Sequence, residues 1–142
     1  PGGPPQPAMT AFIDTNILVR HLTGDPPDLA GRATRFLAAA EANELRLADL
    51  VLAEVVYVLE SFYKVPRAQV AESARAIVAV PAIQVDDPVL LLRTIEIYET
   101  HRLDFADAYL IAAAEHSGVG AVASFDKGID RAGTIQRLVP PQ

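Results

Sequence analysis

Five acidic residues of the 142-residue chain stand at positions where a carboxylate could do chemistry: Asp14, Glu54, Asp104, Asp107 and Asp126. Asp14 follows the apolar run Ala11-Phe12-Ile13 and opens Thr15-Asn16-Ile17, and Asp126 follows Val122-Ala123-Ser124-Phe125 and opens Lys127-Gly128. An acid immediately after a strand lies where parallel sheets bind ligands, beyond the carboxyl ends of their strands. The competing role is helix N-capping, which Asp performs well. Glu54 has Leu50, Val51, Tyr57 and Val58 as its neighbours one helical turn away. That setting predicts a carboxylate on a core-facing apolar stripe, whose desolvation calls for a hydrogen bond or a cation. Glu60, by contrast, has Lys64 four residues on and is expected to be an ordinary solvated pair. Asp104 and Asp107 share one face of a predicted helix start, near the positive end of its dipole. Capping competes here too, with Asp104 as N-cap and Asp107 at the third helical position. Leu110 and Ile111 in the next turn are expected to point Asp107 inward.

The joint pattern says more than any member. With 12 Lys and Arg against 18 Asp and Glu, the net charge is -6, and these five acids account for all but one of the excess negative charges. Gathered in one pocket they would repel one another, and hard divalent cations with oxygen ligands relieve that repulsion. One or two such ions suit in-line displacement at phosphorus, activating a water and steadying the leaving oxygen while the carboxylates serve as ligands. So acidic a chain is the wrong sign for a general nucleic-acid coat, and if it handles phosphates it needs a cation. The absence of cysteine excludes disulfides, thiolate zinc and a cysteine nucleophile, and fits a reducing compartment. No G-x-x-x-x-G-K loop, dinucleotide glycine fingerprint or G-x-S-x-G elbow occurs. Asp14-Thr15-Asn16 lacks the second acid two residues on that phosphoaspartyl transfer would use, and Lys127 directly follows Asp126 rather than standing apart as a receiver-type phosphoacceptor requires.

The elements that must position these acids alternate between strand and helix. A hydrophobic content of 51% supports one compact α/β domain. Residues 1–8, rich in Pro and Gly, read as a flexible arm or cloning remnant, with Met9 as the natural start and the domain running 9–142. Strands are expected at Thr10–Ile13, Leu45–Ala48, Ile83–Val85, Ala121–Phe125 and Thr134–Val139. Helices are expected at Asn16–Leu22, Asp28–Ala42, Val51–Tyr63, Arg67–Val80, Val89–His101 and from Asp104 to a Gly118 stop. The alternation implies a parallel sheet covered on both faces. No run approaches the roughly 18 apolar residues of a membrane span, so the expectation is a soluble, cytoplasmic protein. His21, His101 and His116 show no metal-ligand spacing and read as structural. Arg20, Lys127 and Arg131 are the basic residues nearest the acids along the chain and read as solvated surface. Tyr57, Phe62 and Tyr63 read as core, with an interface as the sharper alternative.

Taken in order and at their separations, four segments resemble the PIN-domain nucleases, and within them the VapC-type toxins of toxin-antitoxin pairs. They are Phe12-Ile13-Asp14-Thr15-Asn16, the Glu54 helix Leu52-Ala53-Glu54-Val55-Val56-Tyr57-Val58-Leu59, the Asp107 helix Phe105-Ala106-Asp107-Ala108-Tyr109-Leu110-Ile111-Ala112-Ala113, and Ser124-Phe125-Asp126. The resemblance spans Met9 to Val139. It implies a three-layer α/β/α sandwich with a central parallel sheet of four or five strands. It further implies a metal-binding and catalytic quartet of Asp14, Glu54, Asp107 and Asp126, with Asp104 as a further ligand or a neighbour of the ligands. Thr15, Asn16 and Ser124 would orient these groups. The implied activity is Mg²⁺- or Mn²⁺-dependent endonucleolytic hydrolysis of RNA by a homodimer, restrained by a cognate antitoxin. A non-catalytic module of the same fold, whose acidic pocket holds a basic partner peptide, is the alternative.

Overall fold

A computed structural model describes residues 10–142, so the expected arm at 1–8 and the start at Met9 lie outside the described residues. Among the described residues, five short parallel strands are threaded between six α-helices. In chain order these are β1 Ala11–Phe12, α1 Thr15–Thr23, α2 Pro27–Ala39, β2 Leu45–Arg46, α3 Asp49–Ser61, α4 Arg67–Val78, β3 Ile83–Gln84, α5 Pro88–His101, α6 Phe105–Ser117, β4 Ala121–Ala123 and β5 Gln136–Leu138. A 3₁₀ helix, Lys127–Ala132, fills the connection between β4 and β5. Helix ends follow local chemistry. Gly24 and Gly118 close α1 and α6 in the left-handed conformation, and Pro88 at the start of α5 costs no helical hydrogen bond. α2 stops at Ala39 rather than Ala42, because the next residues turn: the Glu44 side chain accepts from the Glu41 amide and Asn43 takes φ 60°.

The strands do not hydrogen-bond as one sheet. β1, β2 and β3 pair in that order, with Ala11 opposite Leu45 and Leu45 opposite Ile83, while β4 pairs with β5 through Ala121 opposite Gln136. Among the described residues no ladder joins the two groups. Strands of two or three residues offer few rungs, so the chain relies on packed helices more than the expected four- or five-stranded sheet would require. One apolar cluster runs through the interior, built from Leu18, Leu52, Val55, Leu91, Ile95 and Ile111 among others. None of the helices in the described residues is long and apolar enough to cross a membrane.

α3 and its neighbours depart from the sequence expectation at two places. Tyr57 and Phe62 are 68% and 74% exposed, and Tyr63 is half-buried with its hydroxyl donating to Asp25, so this aromatic group is not core. Glu60 is not a solvated partner of Lys64: it is half-buried and accepts from the hydroxyl of Tyr98, a residue 38 positions away. Burial and the Glu60 carboxylate push the Tyr98 phenol up from its ordinary value.

One cation ties the corner that presents α6. The Arg67 guanidinium at the start of α4 lies 4.4 Å from the centroid of the Tyr98 ring and donates to the carbonyls of Tyr98 and Leu103 at 2.8 and 2.7 Å. Arg102, with φ 54°, and the buried Leu103 form the α5–α6 corner that leads straight into Asp104. Arg67→Ala leaves two carbonyls without their charged donor, and should cost about 2–3 kcal/mol in urea unfolding. Arg67→Lys is expected to recover part of that loss. A change in the Ala variant within measurement error would show that the corner holds itself.

Candidate functional site

The acids fall into two groups joined by α3. At the first, Asp14 occupies the N-cap position of α1, yet its side chain makes no capping hydrogen bond, so the bland explanation for this exposed carboxylate does not hold. The next residue, Thr15, is 5% exposed and donates its hydroxyl to Oε2 of Glu54 at 3.0 Å. That bond fixes the direction of a glutamate whose position differs from expectation. Glu54 is exposed, because α3 buries Leu52, Val55, Val56 and Leu59 and turns Leu50 and Tyr57 outward. Its apolar neighbours therefore form a surface stripe, not a core-facing one, and burial imposes no demand on the carboxylate.

At the second group, Asp104 caps α6 as its spacing predicts: Oδ1 accepts from the Asp107 amide at 3.1 Å. Asp126 caps the 3₁₀ helix by accepting from the Gly128 amide at 2.8 Å, and its own amide donates to Ser124 Oγ at 2.9 Å. The Asp126 carboxylate sits close against this turn. A Cβ at Gly128 would stand 3.0 Å from its Oδ1, so a side chain there would push the acid away. Asp107 is half-buried, and both of these acids act on its charge. Burial, then the hydrogen bond and charge of Asp104, then the charge of Asp126 raise its pKa from the ordinary 3.8 to about 6.

α3 carries Glu54 and packs against both α1 and α6, so it is the wall common to the two groups. Among the described residues no three carboxylate or histidine side chains converge closely enough to hold a metal ion, so the acids expected to form one site stand in two groups and are not closed into a ligand cage. Asn16 is exposed one residue beyond Thr15, at the edge of a hollow between α1 and α2. Two of the histidines are engaged elsewhere: His21 bonds Thr34, and His116 bonds Asp87. Sequence reasoning passed over two groups of residues at the ends of the strands. Asp49 follows β2 and accepts from the Tyr109 hydroxyl at 2.8 Å, while Asp86 and Asp87 follow β3 and are engaged by Arg46 and His116. Their place just after parallel strands was the available signal, the same one that marks Asp14 and Asp126.

A carboxyl whose folded pKa is raised contributes stability that is fully present below its unfolded value and lost as pH rises through its folded value. In a chelator, the protein should therefore lose the Asp107 contribution between pH about 4 and about 6. Asp107→Asn should melt higher than the natural sequence at pH 7, with the difference shrinking toward pH 4 as the natural carboxyl takes up its proton. Parallel melting curves for the two proteins across this range would contradict the crowding of Asp107.

No protein among the curated ones matches this chain. The model of one protein family, described as PIN domain, matches residues 11–135, which takes in β1, all six α-helices, the 3₁₀ helix and every acid of both groups. PIN domains are generally metal-dependent nucleases, and on this match the chain belongs to the PIN-domain family.

Proposed function

We propose that this PIN domain, over residues 9–142, is a metal-dependent endoribonuclease acting as the VapC-type toxin of a toxin-antitoxin pair. The observation that carries the reading is the crowding of Asp107 between Asp104 and Asp126, which raises its pKa to about 6 with no cation side chain among the causes of the shift. The donor chemistry fits a hard divalent ion: every candidate ligand is a carboxylate, and the crowded group gains most from an added positive charge. The side chains of Asp14, Glu54, Asp107 and Asp126 would hold Mg²⁺, or Mn²⁺ in its place, with Asp104 adding charge beside them. Because the carboxylates are not already closed into a cage, binding would draw them together. When bound, the ion lowers the pKa of water and stabilises charge on phosphate oxygens.

The chain's own residues supply the order around that site. Thr15 holds the Glu54 carboxylate in one orientation through its hydroxyl, and Ser124 holds the Asp126 backbone through its Oγ. Asn16 offers an amide beside Asp14 for a water or a phosphate oxygen. The substrate on this reading is RNA, single-stranded or structured, and the protein is cytoplasmic. The family's three-layer sandwich about one central sheet belongs to the same proposal. A groove of about 500 Å³ between α3 and α6, with Leu50, Ala53, Phe105, Ala106, Tyr109 and Leu110 in its walls, supports assembly into a homodimer or capture of the antitoxin, since an apolar face of this kind is costly to leave in water.

The lack of a ready ligand cage among the described residues favours one rival, a non-catalytic module whose acids hold a basic peptide. Mn²⁺ titration separates the two: saturable binding at neutral pH, weakening as the pH falls through about 6 and Asp107 takes up its proton, is expected of the nuclease. Cleavage of mixed cellular RNA in Mg²⁺ should fall to background in Asp14→Asn and in Asp107→Asn, with circular dichroism unchanged, and EDTA should abolish it reversibly. Full activity in either variant would remove the proposed roles, and absence of saturable Mn²⁺ binding would transfer the reading to the module.

A further inference from the structure

In a chain of net charge -6, three arginines gather at one hollow on the surface. The hollow, about 600 Å³, lies between α1 and α2 and has Arg20, Arg32, Arg35, Phe36 and Asn16 in its walls. Arg20 donates to the Asp25 carbonyl at 3.3 Å, and neither Arg32 nor Arg35 makes a salt bridge among the described residues, although Asp28 lies one turn from Arg32. Both side chains are exposed, so their charge is available to a ligand. Arg35 folds back over its own helix, where a Cβ at Gly31 would stand 3.1 Å from its Nη1, so a glycine in the middle of α2 leaves room for the guanidinium to lie there. Beside these charges stands an aromatic ring, Phe36, 47% exposed. Asn16 connects the hollow to the first acid group, two residues from Asp14 and one from Thr15.

Guanidinium forks match phosphate oxygens, and an exposed aromatic face stacks with any base, so the two together suit single-stranded nucleic acid. An acidic peptide would satisfy the arginines but leave the ring without a specific partner. We propose that the α1–α2 hollow binds a segment of single-stranded RNA next to the acids, with Arg32 and Arg35 on backbone phosphates and Phe36 beneath a base. RNA as the ligand rests on the nuclease reading, while the hollow itself rests on the residues just named. On this assignment the protein separates its two tasks, holding the strand with α1 and α2 and cutting it at the carboxylates.

The test is fluorescence anisotropy of a labelled mixed-sequence RNA oligonucleotide in EDTA, with Asp14→Asn as the background so that the strand stays whole. Adding Arg32→Gln and Arg35→Gln should weaken binding at least tenfold and flatten the slope of log affinity against log salt by about 1.4, since each phosphate contact to a single strand contributes about 0.7. Arg32→Lys with Arg35→Lys should keep the slope and lose part of the affinity. Phe36→Ala should weaken binding several-fold with the slope unchanged, and Phe36→Trp should restore it. Arg75→Gln removes one unit of charge from α4, where Arg75 pairs with Glu99, and should change neither quantity. An Arg32/Arg35 double Gln variant that binds RNA no differently from the Arg75 variant overturns the assignment. So does a hollow that binds a poly-Glu peptide through these arginines and RNA independently of them. Cleavage of the same RNA by the unaltered chain in Mg²⁺ is scored separately: arginine-dependent binding without cleavage keeps the hollow and removes the nuclease, and cleavage with arginine-independent binding does the reverse.

Discussion

Carboxylates of like charge must be held together against their own repulsion, and much of this small domain is arranged around that demand. Asp107 cannot move away from Asp104, because the Asp104 side chain caps the same helix turn and bonds the Asp107 amide. Asp126 cannot relax outward either, since its carboxylate is tied to the Gly128 amide and its own amide to Ser124. Behind them the corner at Arg102–Leu103 is gripped by Arg67, whose charge is spent on backbone carbonyls and an aromatic ring and not on neutralising the acids. The result is a group of acids positioned by hydrogen bonds from uncharged donors, with a carboxyl that keeps its proton to an unusually high pH. Such an arrangement stores unfavourable energy that a cation can release.

The same logic explains the division of charge over the surface. Four arginines elsewhere pair with acids: Arg46 with Asp86, Arg75 with Glu99, Arg93 with Glu96 and Glu115, Arg137 with Asp130. Those on α1 and α2 are spared, and they lie around the hollow bordered by Asn16. On the proposals made above, an acidic centre with a basic flank would give a polyanion a place to hold while its reacting bond meets the carboxylates, a juxtaposition that net charge alone conceals.

What could be read from the residues was the part that depends on local geometry. The Asp104 cap and the Gly118 stop follow from short spacings along one helix, and both stand in the structure as the sequence predicts. Strand positions were legible to within a residue or two, but which strands share a ladder was not, because pairing depends on edges that no single segment encodes. Glu54 was misplaced for a clear reason. α3 reads Asp-Leu-Val-Leu-Ala-Glu-Val-Val-Tyr-Val-Leu-Glu-Ser, apolar on nearly every side, so neighbours one turn away cannot tell which side is buried. Tertiary contacts made that choice, pressing Leu52, Val55 and Leu59 inward and leaving Leu50, Glu54 and Tyr57 outside. Glu60 fails in the same way: Lys64 is its neighbour in sequence, while its true partner, Tyr98, lies on another helix.

Anomalous diffraction from crystals soaked in Mn²⁺ tests the central claim most directly, because it locates the cation without reference to activity. An anomalous peak bounded by Asp14, Glu54, Asp107 and Asp126, with those side chains drawn inward from the two groups, is the predicted result. A peak confined to Asp49, Asp86 and Asp87 at the ends of β2 and β3, or none at a saturating concentration, would contradict it.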